Sequence, residues 1–480
     1  MENMSDPTVL YVTPEAVPFA VSGGLGEVAS SLPRALRARG TDIRVVMPLY
    51  RAVDARYRAE MTKLCEFSVP VAWRQEYCGV HTAVHGGVTF YFLDNERYFG
   101  RDSLYGCCDD GERFAFFGRA VCEMLWRIPF FPDILHANDW QSALSIIYYR
   151  QFYRDRPGYG GIRTLYTIHN IEYQGVYAKE LYTDLFGLEP SLCSDLWYRG
   201  DLNLTKGAVV CADRVSTVSP RYAREICTPG YSEGLCGILE KYKGKLSGIL
   251  NGIDTSLYDP AADPALPVHY TPSELEGKAY NKACLQQELG LPVSPDSFLI
   301  IMVSRLVAHK GLDLVACVIR EVLGADVQLA VLGTGEDRYQ RLLWNYAAAF
   351  PEKVAFRCTF DEPLSCRMYA AGDLLLMPSL FEPCGLSQMI AMGYGTLPVV
   401  RETGGLYDSI KPYWVEGETL HGNGFTFANY SAAELRERTE AAIGVWYNKP
   451  ERDRLVERVM TTDFSWRRSA GQYLELYEGM

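Results

Sequence analysis

Short apolar runs, each followed by a polar or glycine-rich loop and then a helical pattern, occur in two separate series along this chain. The first series begins at residues 9–12 and the second restarts at residues 298–303. Runs that are apolar throughout are typical of parallel strands buried on both faces. Strands that alternate with helices form doubly wound α/β sheets. Because 480 residues are too many for one core, the pattern predicts an α/β chain of two Rossmann-like domains.

The boundary between these domains is predicted at an Asn-Gly turn signal, residues 251–252, which precedes a Pro- and Ala-rich stretch. The N-terminal Rossmann-like domain is then residues 1–252 and the C-terminal one is residues 253–455. Residues 456–480 are predicted to form a helix that packs back on the N-terminal domain. Facing Rossmann-like domains bind ligand between them, so we expect an interdomain cleft.

Charge and cysteine content narrow the classes of function. The net charge of −12 and a pI near 5.2 argue against a non-specific nucleic-acid binder. The short polar N-terminus leads directly into a strand, so we expect no signal peptide and a cytoplasmic location. No apolar run reaches transmembrane length. The 14 cysteines form no CxxC pair or zinc-spaced quartet, so we expect mostly reduced thiols. The histidines are isolated, and Asp109 and Asp110 lack partner ligands in the sequence, so we expect no metal. We also expect no cofactor.

The stretch MPSLFEPCGLSQ, residues 377–388, suggests a binding site. It follows an apolar run and places Glu382 in a turn before a helix that starts near Leu386. A carboxylate at a strand end, beside the N–H groups of a helix N-terminus, suits a polyhydroxy group next to an anion. The alternative is an ordinary strand-to-helix corner with a solvated Glu, and this stretch alone favours neither.

Two cations follow the first strand of the second series. Arg305 and Lys310 lie on a loop and first helical turn, where they would neutralise a diphosphate and its leaving charge. A solvated surface position is a plausible alternative for Lys310 alone. A turn containing Thr403 and Gly404 follows a later strand at the same sheet edge and adds backbone donors. Together these groups fit a nucleotide sugar.

The first series also carries polar groups at strand ends. The pair Gly23-Gly24 opens the first helix but matches neither the dinucleotide fingerprint nor a P-loop. Backbone at such a pair can approach a phosphate or sugar closely, although a tight turn alone is equally common. Asp139 follows one strand, where it either caps the next helix or faces the cleft, and His169 follows another. Such residues collect on the binding edge of a parallel sheet.

Seven ordered motifs resemble those of the bacterial glycogen synthase and plant starch synthase family, which are retaining glucosyltransferases of the GT-B fold. They are VSGGLGEV (21–28), HANDW (136–140), TIHNIEYQG (167–175), LNGID (250–254), SRLVAHKG (304–311), PSLFEPCGLSQ (378–388) and RETGGL (401–406). The resemblance implies transfer of α-glucose from a nucleotide diphosphate sugar, usually ADP-glucose, to the non-reducing end of an α-1,4-glucan. The implied partners are this donor and a glucan acceptor, with no nucleic acid and no membrane.

The resemblance also implies roles for individual residues. Glu382 holds the donor glucose hydroxyls, and Arg305 and Lys310 bind the diphosphate. Asp139 and His169 contact the donor sugar, and in the family the His carbonyl lies near the anomeric carbon. Further substrate-binding positions are Ser22, Gly23, Gly24, Asn251, Phe360 (which stacks on adenine), Cys384, Gly385, Leu386, Thr403 and Gly404.

Three positions depart from the family pattern. The usual Lys of the first motif is Val21 here, the usual Asp is Glu27, and the second His of HAHDW is Asn138. These changes bear on donor affinity more than on reaction type. Because no second carboxylate is placed as a nucleophile, the resemblance favours front-face transfer, in which the leaving phosphate helps to deprotonate the acceptor hydroxyl.

Three functions therefore stay open. The first is a polymerising glucosyltransferase, and the second is a catalytically weak glucan-binding protein, which the missing lysine permits. The third is a GT-B enzyme that glucosylates a small molecule.

Overall fold

The computed structural model of the protein describes residues 7–128, 130–189, 191, 193–324 and 326–480. The chain divides into two compact units. Unit 1 comprises Met1–Gly252 together with Trp466–Met480, and unit 2 comprises Ile253–Ser465. Among the described helices, none has the length and apolar character needed to cross a membrane.

Residues 7–252 form twelve described strands and ten described helices. The strands are β1 (Val9–Val12), β2 (Ile43–Pro48), β3 (Thr62–Val71), β4 (Arg74–His85), β5 (Val88–Asp94), β6 (Ile134–Asn138), β7 (Arg163–Ile168), β8 (Val176–Ala178), β9 (Trp197–Tyr198), β10 (Asp201–Asn203), β11 (Arg214–Thr217) and β12 (Leu246–Gly248). The helices are α1 (Gly24–Arg37), α2 (Ala55–Ala59), α3 (Glu96–Phe99), α4 (Asp110–Arg127), α5 (Asp139–Tyr148), α6 (Leu181–Asp184), α7 (Cys193–Leu196), α8 (Leu204–Cys211), α9 (Pro220–Glu225) and α10 (Cys236–Lys241).

The main sheet of unit 1 has nine strands in the order β12-β11-β7-β6-β1-β2-β5-β4-β3. Its strands pair in parallel except for β4, which is antiparallel to both β3 and β5. Every residue of β1 is buried, as expected for a central strand covered on both faces. Because β1 pairs with β2 on one side and β6 on the other, the switch point of this sheet lies between β1 and β6.

Residues 253–465 of unit 2 form eight described helices and eight described strands. The helices are α11 (Glu276–Leu289), α12 (Leu312–Val322), α13 (Asp337–Ala349), α14 (Glu362–Ala371), α15 (Ser387–Gly393), α16 (Gly404–Ser409), α17 (Ala432–Tyr447) and α18 (Lys449–Met460). The strands are β13 (Phe298–Val303), β14 (Val327–Leu332), β15 (Val354–Arg357), β16 (Leu374–Met377), β17 (Leu397–Arg401), β18 (Trp414–Glu416), β19 (Thr419–His421) and β20 (Phe425–Phe427).

The main sheet of unit 2 is six-stranded and wholly parallel, in the order β15-β14-β13-β16-β17-β20. This is the doubly wound order of a Rossmann sheet, with its switch point between β13 and β16. Strand β13 is the apolar run FLIIMV, and its first five residues are buried. The loops that leave β13 and β16 at their carboxyl ends are therefore brought side by side.

The last helix, α19 (Trp466–Glu478), belongs to unit 1. Tyr477 Oη lies 2.8 Å from Nδ1 of His136 on β6, and Ser469 Oγ donates to the Leu250 carbonyl at 2.5 Å. The predicted return of the C-terminal helix is therefore present, but the boundary predicted at residue 456 lies too early. Residues up to 465 stay with unit 2 because α18 packs on α15 and α17.

Candidate active site

Lys310 and Glu382 meet at the switch point of the unit 2 sheet. Lys310 Nζ lies 2.6 Å from Glu382 Oε2, although the two residues are carried by loops that follow β13 and β16. The Lys310 side chain is 15% exposed and that of Glu382 is 9% exposed. Ser379 Oγ donates to the same Oε2 at 3.1 Å. The arrangement is a partly buried cation beside a fixed carboxylate at the binding edge of a Rossmann sheet.

Close backbone contacts hold these two loops together. Gly311 has φ +75°, and a Cβ there would lie 2.1 Å from the Pro378 carbonyl oxygen, so only glycine fits. The Leu380 N–H donates to the His309 carbonyl at 2.8 Å, and the His309 and Phe381 rings lie 4.5 Å apart. Burial, followed by the nearby Lys310 charge, lowers the pKa of His309 to about 4. His309 is thus neutral at pH 7 and adds no third cation.

Two buried side chains that the sequence did not single out hold the loop of Glu382. The Arg401 guanidinium, 5% exposed, donates from Nε to the Ser379 carbonyl at 2.8 Å and also to the Leu380 carbonyl. Gln388 Nε2 donates to the Gly385 carbonyl at 2.9 Å. Both lie within predicted motifs, but their role is visible only once the loop is folded against them.

The glycine turn after β17 packs directly on the Glu382 segment. Gly404 has φ +44°, and a Cβ there would lie 1.9 Å from the Glu382 carbonyl oxygen. The Gly405 N–H donates to that same oxygen at 3.1 Å. The N–H of Thr403, which is fully buried, donates to the Arg401 carbonyl at 2.9 Å, so this N–H is not open to a phosphate. The turn therefore supports the Glu382 loop, and its Thr403 and Gly405 N–H groups donate within the protein.

The other predicted residues of unit 2 differ in exposure. Arg305 is exposed on the loop after β13, and its charge contributes to lowering the pKa of His309. Phe360 follows β15 with 88% of its surface exposed, which leaves both ring faces open. Cys384 is buried, whereas Gly385 and Leu386 are partly exposed. Exposed side chains at the carboxyl ends of β13 and β15 border the same sheet edge as the ion pair.

Asp139 and His169 lie together at the carboxyl ends of β6 and β7 in unit 1. Asp139 Oδ1 accepts the His169 N–H at 2.7 Å, and His169 Nε2 lies 2.9 Å from Asn138 Oδ1. Asn138 Nδ2 also donates to the Val12 carbonyl of β1 at 3.0 Å, across the switch point. Because an amide oxygen only accepts, His169 carries its proton on Nε2.

The alternative that Asp139 caps the helix is wrong. The residue before α5 is Asn138, which makes no side-chain capping bond, and the Asp139 carboxylate instead accepts the N–H groups of His169 and Asn170. Asp139 also has φ +55°, a left-handed conformation that non-glycine residues rarely adopt and that marks functional sites. Burial raises the pKa of Asp139 to about 7 and lowers that of His169 to about 3.

The predicted glycine turn of unit 1 is exposed at Ser22, Gly23 and Gly24. Helix α1 begins at Gly24, and a Cβ on Gly23 would meet nothing within 4 Å, so open space lies in front of the turn. Val21, where the family has Lys, is 43% exposed and packs over Gly26. The turn thus presents backbone at a helix N-terminus without a nearby lysine from that motif.

Asn251, predicted as a sugar contact, is 5% exposed. Its Oδ1 is buried and has no hydrogen-bond partner among the described residues. A buried amide oxygen without a hydrogen-bond donor costs stability. The Asn251 oxygen is therefore an acceptor that a ligand hydroxyl would satisfy.

Unit 1 also contains a pocket of about 510 Å³ that the sequence did not predict. The side chains that matter to its chemistry are aromatic or acidic, namely Trp140, Tyr173, Tyr177, Glu172, Glu233 and Asp110. Trp140 directly follows Asp139, and Glu172 and Tyr173 lie in the loop that starts at His169. Aromatic faces beside carboxylates match the apolar faces and hydroxyl groups of a pyranose.

A candidate metal cluster lies beside this pocket. Ligand atoms of Cys107, Asp109 and Asp110 lie within 4.8 Å of one another. Asp109 lies 2.6 Å from the Arg101 guanidinium, and Asp110 lies 2.5 Å from that of Arg113. Because both carboxylates are paired with guanidinium groups, this cluster does not fit a divalent cation.

Comparison with known proteins agrees with this geometry. Residues 8–241 match a family model described as starch synthase catalytic domain, and residues 290–459 match glycosyl transferases group 1. The chain is 46% identical over 472 residues to a glycogen synthase of Geobacillus thermodenitrificans, covering 98% of this chain and 97% of that protein. It is 46% identical over 475 residues to a glycogen synthase of Clostridioides difficile, covering 98% of both.

Solved structures give the same result. The catalytic domain of starch synthase IV from Arabidopsis thaliana, bound to ADP and acarbose, has a TM-score of 0.91 and 33% identity over 99% of both chains. A sucrose-phosphate synthase from Thermosynechococcus elongatus has a TM-score of 0.62 at 16% identity and shows likeness of fold alone. The chain is a glucosyltransferase of the GT-B fold, as its motifs predicted. It belongs to the glycogen and starch synthase family.

Proposed function

We propose that this protein transfers α-D-glucose from ADP-glucose to the non-reducing end of an α-1,4-glucan, with retention of configuration. The observation that carries the proposal is the contact between Lys310 and Glu382 at the unit 2 switch point. A site for a diphosphate sugar needs a cation near the phosphates and a hydrogen-bond acceptor near the sugar hydroxyls. Lys310 supplies the cation and Glu382 supplies the hydrogen-bond acceptor.

The donor diphosphate is bound by Lys310 and Arg305. Both follow β13, and the exposed Arg305 has the reach and the fork geometry to bind phosphate oxygens. Glu382 accepts hydrogen bonds from the glucose hydroxyls, and its loop from Cys384 to Leu386 lines the sugar. The exposed ring of Phe360 stacks on the adenine, since a solvent-exposed aromatic face is what a base needs.

In unit 1, Asp139 and His169 contact the donor glucose. With its pKa lowered to about 3, His169 is neutral at pH 7, so it orients the sugar and does not act as a proton donor. The Asp139 carboxylate fixes the His169 main chain at 2.7 Å, which sets the direction of the His169 carbonyl toward the reacting carbon. Ser22 shapes the glycine turn through its bonds to Glu15, the Gly23 and Gly24 backbone approaches the phosphates, and Asn251 contacts the sugar.

The acceptor glucan occupies the pocket of Trp140 and Tyr177. In the transfer, the bond from the anomeric carbon to the diphosphate breaks and a bond to the acceptor O4 forms on the same face. The acceptor proton passes to a leaving phosphate oxygen. Lys310 and Arg305 stabilise the charge that develops on the diphosphate, which is a role that a metal ion serves in other transferases.

The test is incorporation of labelled glucose into glycogen from ADP-glucose, with UDP-glucose in parallel and the products sized. Growing chains with ADP-glucose support the proposal, and preference for UDP-glucose overturns the donor assignment. Addition of a single glucose to a small acceptor would favour the third hypothesis. Binding of glycogen without incorporation from either donor would favour the weak glucan-binding protein. The cytoplasmic location stays a prediction.

A further inference from the structure

Glu15 is a buried carboxylate that accepts four hydrogen bonds from two separate segments of unit 1. Only 2% of its surface is exposed. The Ser22 N–H and hydroxyl donate to Oε2 at 2.7 and 2.5 Å, and the Gly26 N–H donates to Oε1 at 3.0 Å. The fourth donor is the Tyr105 hydroxyl, at 3.1 Å from Oε2.

The three bonds from Ser22 and Gly26 hold the glycine turn on its buried side. The residue before helix α1 is Gly23, which has no side chain to cap the helix. Gly26 is the third residue of that helix, where a Ser or Asp in the place of Gly23 would normally accept the N–H. Glu15 takes this bond instead, so the helix is capped while the outer face of Gly23 stays open.

The fourth bond ties the turn to the wall of the Trp140 pocket. Tyr105 precedes a short segment in which the Gly106 N–H donates to Asp110 Oδ2 at 2.7 Å. Asp110 lines the pocket. The Tyr105 ring lies 6.1 Å from the Phe114 ring, which in turn lies 5.2 Å from the Trp140 ring. Tyr105 therefore links Glu15, and with it the glycine turn, to the segment that carries Asp110 of the pocket.

We propose that Glu15 is a positioning residue that couples the glucan pocket to the glycine turn through Tyr105. A glucan that orders the 105–110 segment also holds Tyr105 on Glu15, and Glu15 holds the turn in the conformation that meets the phosphates. The inference rests on the proposed function, because it needs glucan in the Trp140 pocket and phosphate at the turn. By linkage, each ligand tightens the binding of the other by the same factor.

The test uses the Tyr105→Phe variant, which removes one hydroxyl and keeps the ring. The dissociation constant of ADP is measured with and without saturating maltohexaose, and that of maltohexaose with and without ADP. In the unaltered protein, each ligand is expected to tighten the other by about 5-fold or more. In Tyr105→Phe, the factor falls to about one while each ligand alone still binds.

Tyr153→Phe is the matched control. Its hydroxyl donates to Glu123 at 2.5 Å, so the variant also loses a tyrosine–glutamate bond inside unit 1, away from the turn. It is expected to keep the coupling factor of the unaltered protein. Loss of coupling in this variant as well would overturn the inference, because a general loosening would then explain the result.

Two outcomes separate this inference from the proposed function. If the unaltered protein binds ADP and maltohexaose independently, or if Tyr105→Phe retains the coupling, the inference is overturned and the proposed function stands. If the unaltered protein binds neither ligand, the proposed function fails and the inference fails with it.

Discussion

Lys310 Nζ and Glu382 Oε2 lie 2.6 Å apart although 71 residues separate them along the chain, from 311 to 381. The pair exists because β13 and β16 are neighbours at the switch point of one sheet. Without a sugar donor, Lys310 and Glu382 are each other's counterions. A bound sugar donor would offer its phosphates to Lys310 and its hydroxyl groups to Glu382.

Lys310→Met removes the cation and leaves a 9% exposed carboxylate without its partner. We expect turnover to fall by about 10²-fold or more, because the leaving diphosphate loses a fixed charge. The free energy of unfolding should also fall, because breaking a buried pair strands a charge. Adding Glu382→Gln should restore stability but not turnover, measured by urea unfolding and by glucose incorporation. Restored turnover in the double variant would contradict a role for these residues in transfer.

Arg305→Ala should separate activity from stability. The side chain is exposed, so the free energy of unfolding is expected to change by no more than about 0.5 kcal/mol. Turnover should fall strongly, since a phosphate-binding guanidinium is lost. Arg320→Ala, another exposed arginine in unit 2, is the control and should leave both quantities unchanged. Undiminished turnover in Arg305→Ala would remove this residue from the site.

Phe360→Ala should raise the KM for the donor with little change in kcat. Stacking of a base on an aromatic ring contributes about 1–3 kcal/mol, which corresponds to roughly 5- to 150-fold in affinity. Because the ring is 88% exposed, stability should not change. Phe360→Trp is expected to keep the affinity, and Trp344→Ala, which removes a half-exposed ring elsewhere in unit 2, should leave the KM for the donor unchanged. An unaltered KM in Phe360→Ala rejects the stacking role.

Gly404→Ala tests the contact between the second glycine turn and the Glu382 loop. The added Cβ would lie 1.9 Å from the Glu382 carbonyl oxygen at φ +44°, so the loop must shift. We expect a loss of about 1 kcal/mol or more of stability together with a loss of turnover. Gly237→Ala is the control, since a Cβ there meets nothing within 4 Å, and it should be neutral or stabilising. Normal turnover in Gly404→Ala would show that Glu382 tolerates displacement.

Asp139 gives a pH dependence of stability with a definite sign. An unfolded Asp releases its proton near pH 4, whereas burial raises the pKa of Asp139 to about 7 in the folded protein. Between these values the folded state binds more protons, so stability falls as the pH rises from 4 to 7. Asp139→Asn keeps a side-chain oxygen that accepts the His169 N–H. Because an amide does not titrate in this range, the variant loses this pH dependence of stability.

The measurement is urea unfolding of the unaltered protein and Asp139→Asn at several pH values from 4.5 to 8. The difference in free energy of unfolding should change by up to about 1.4 kcal/mol per pH unit below pH 7 and level off above it. Asp155→Asn, at an exposed position, is the control. Parallel curves for the unaltered protein and Asp139→Asn would contradict the raised pKa.

Sequence reasoning did best where the signal is local. The apolar runs gave the parallel strands, and the motifs gave the family and the GT-B fold, which the comparisons confirm. Sequence reasoning missed side chains that form hydrogen bonds to a segment distant in the chain. Glu15 and Arg401 were missed because each bonds to backbone that only the folded loops bring near. The helix-cap alternative for Asp139 was wrong because its carboxylate accepts an N–H from another strand end.

The sequence by itself determined the two series of buried strands, their family and the residue types at their carboxyl ends, because hydrophobic runs and glycine turns act over a few residues. Only the tertiary structure decided which of those residues touch: that Lys310 pairs with Glu382, that Asn138 joins β1 to His169, and that Glu15 serves two loops. The physical reason is strand order. Pairing in a sheet sets which loop ends are neighbours, and that order depends on packing across the whole unit rather than on any one stretch.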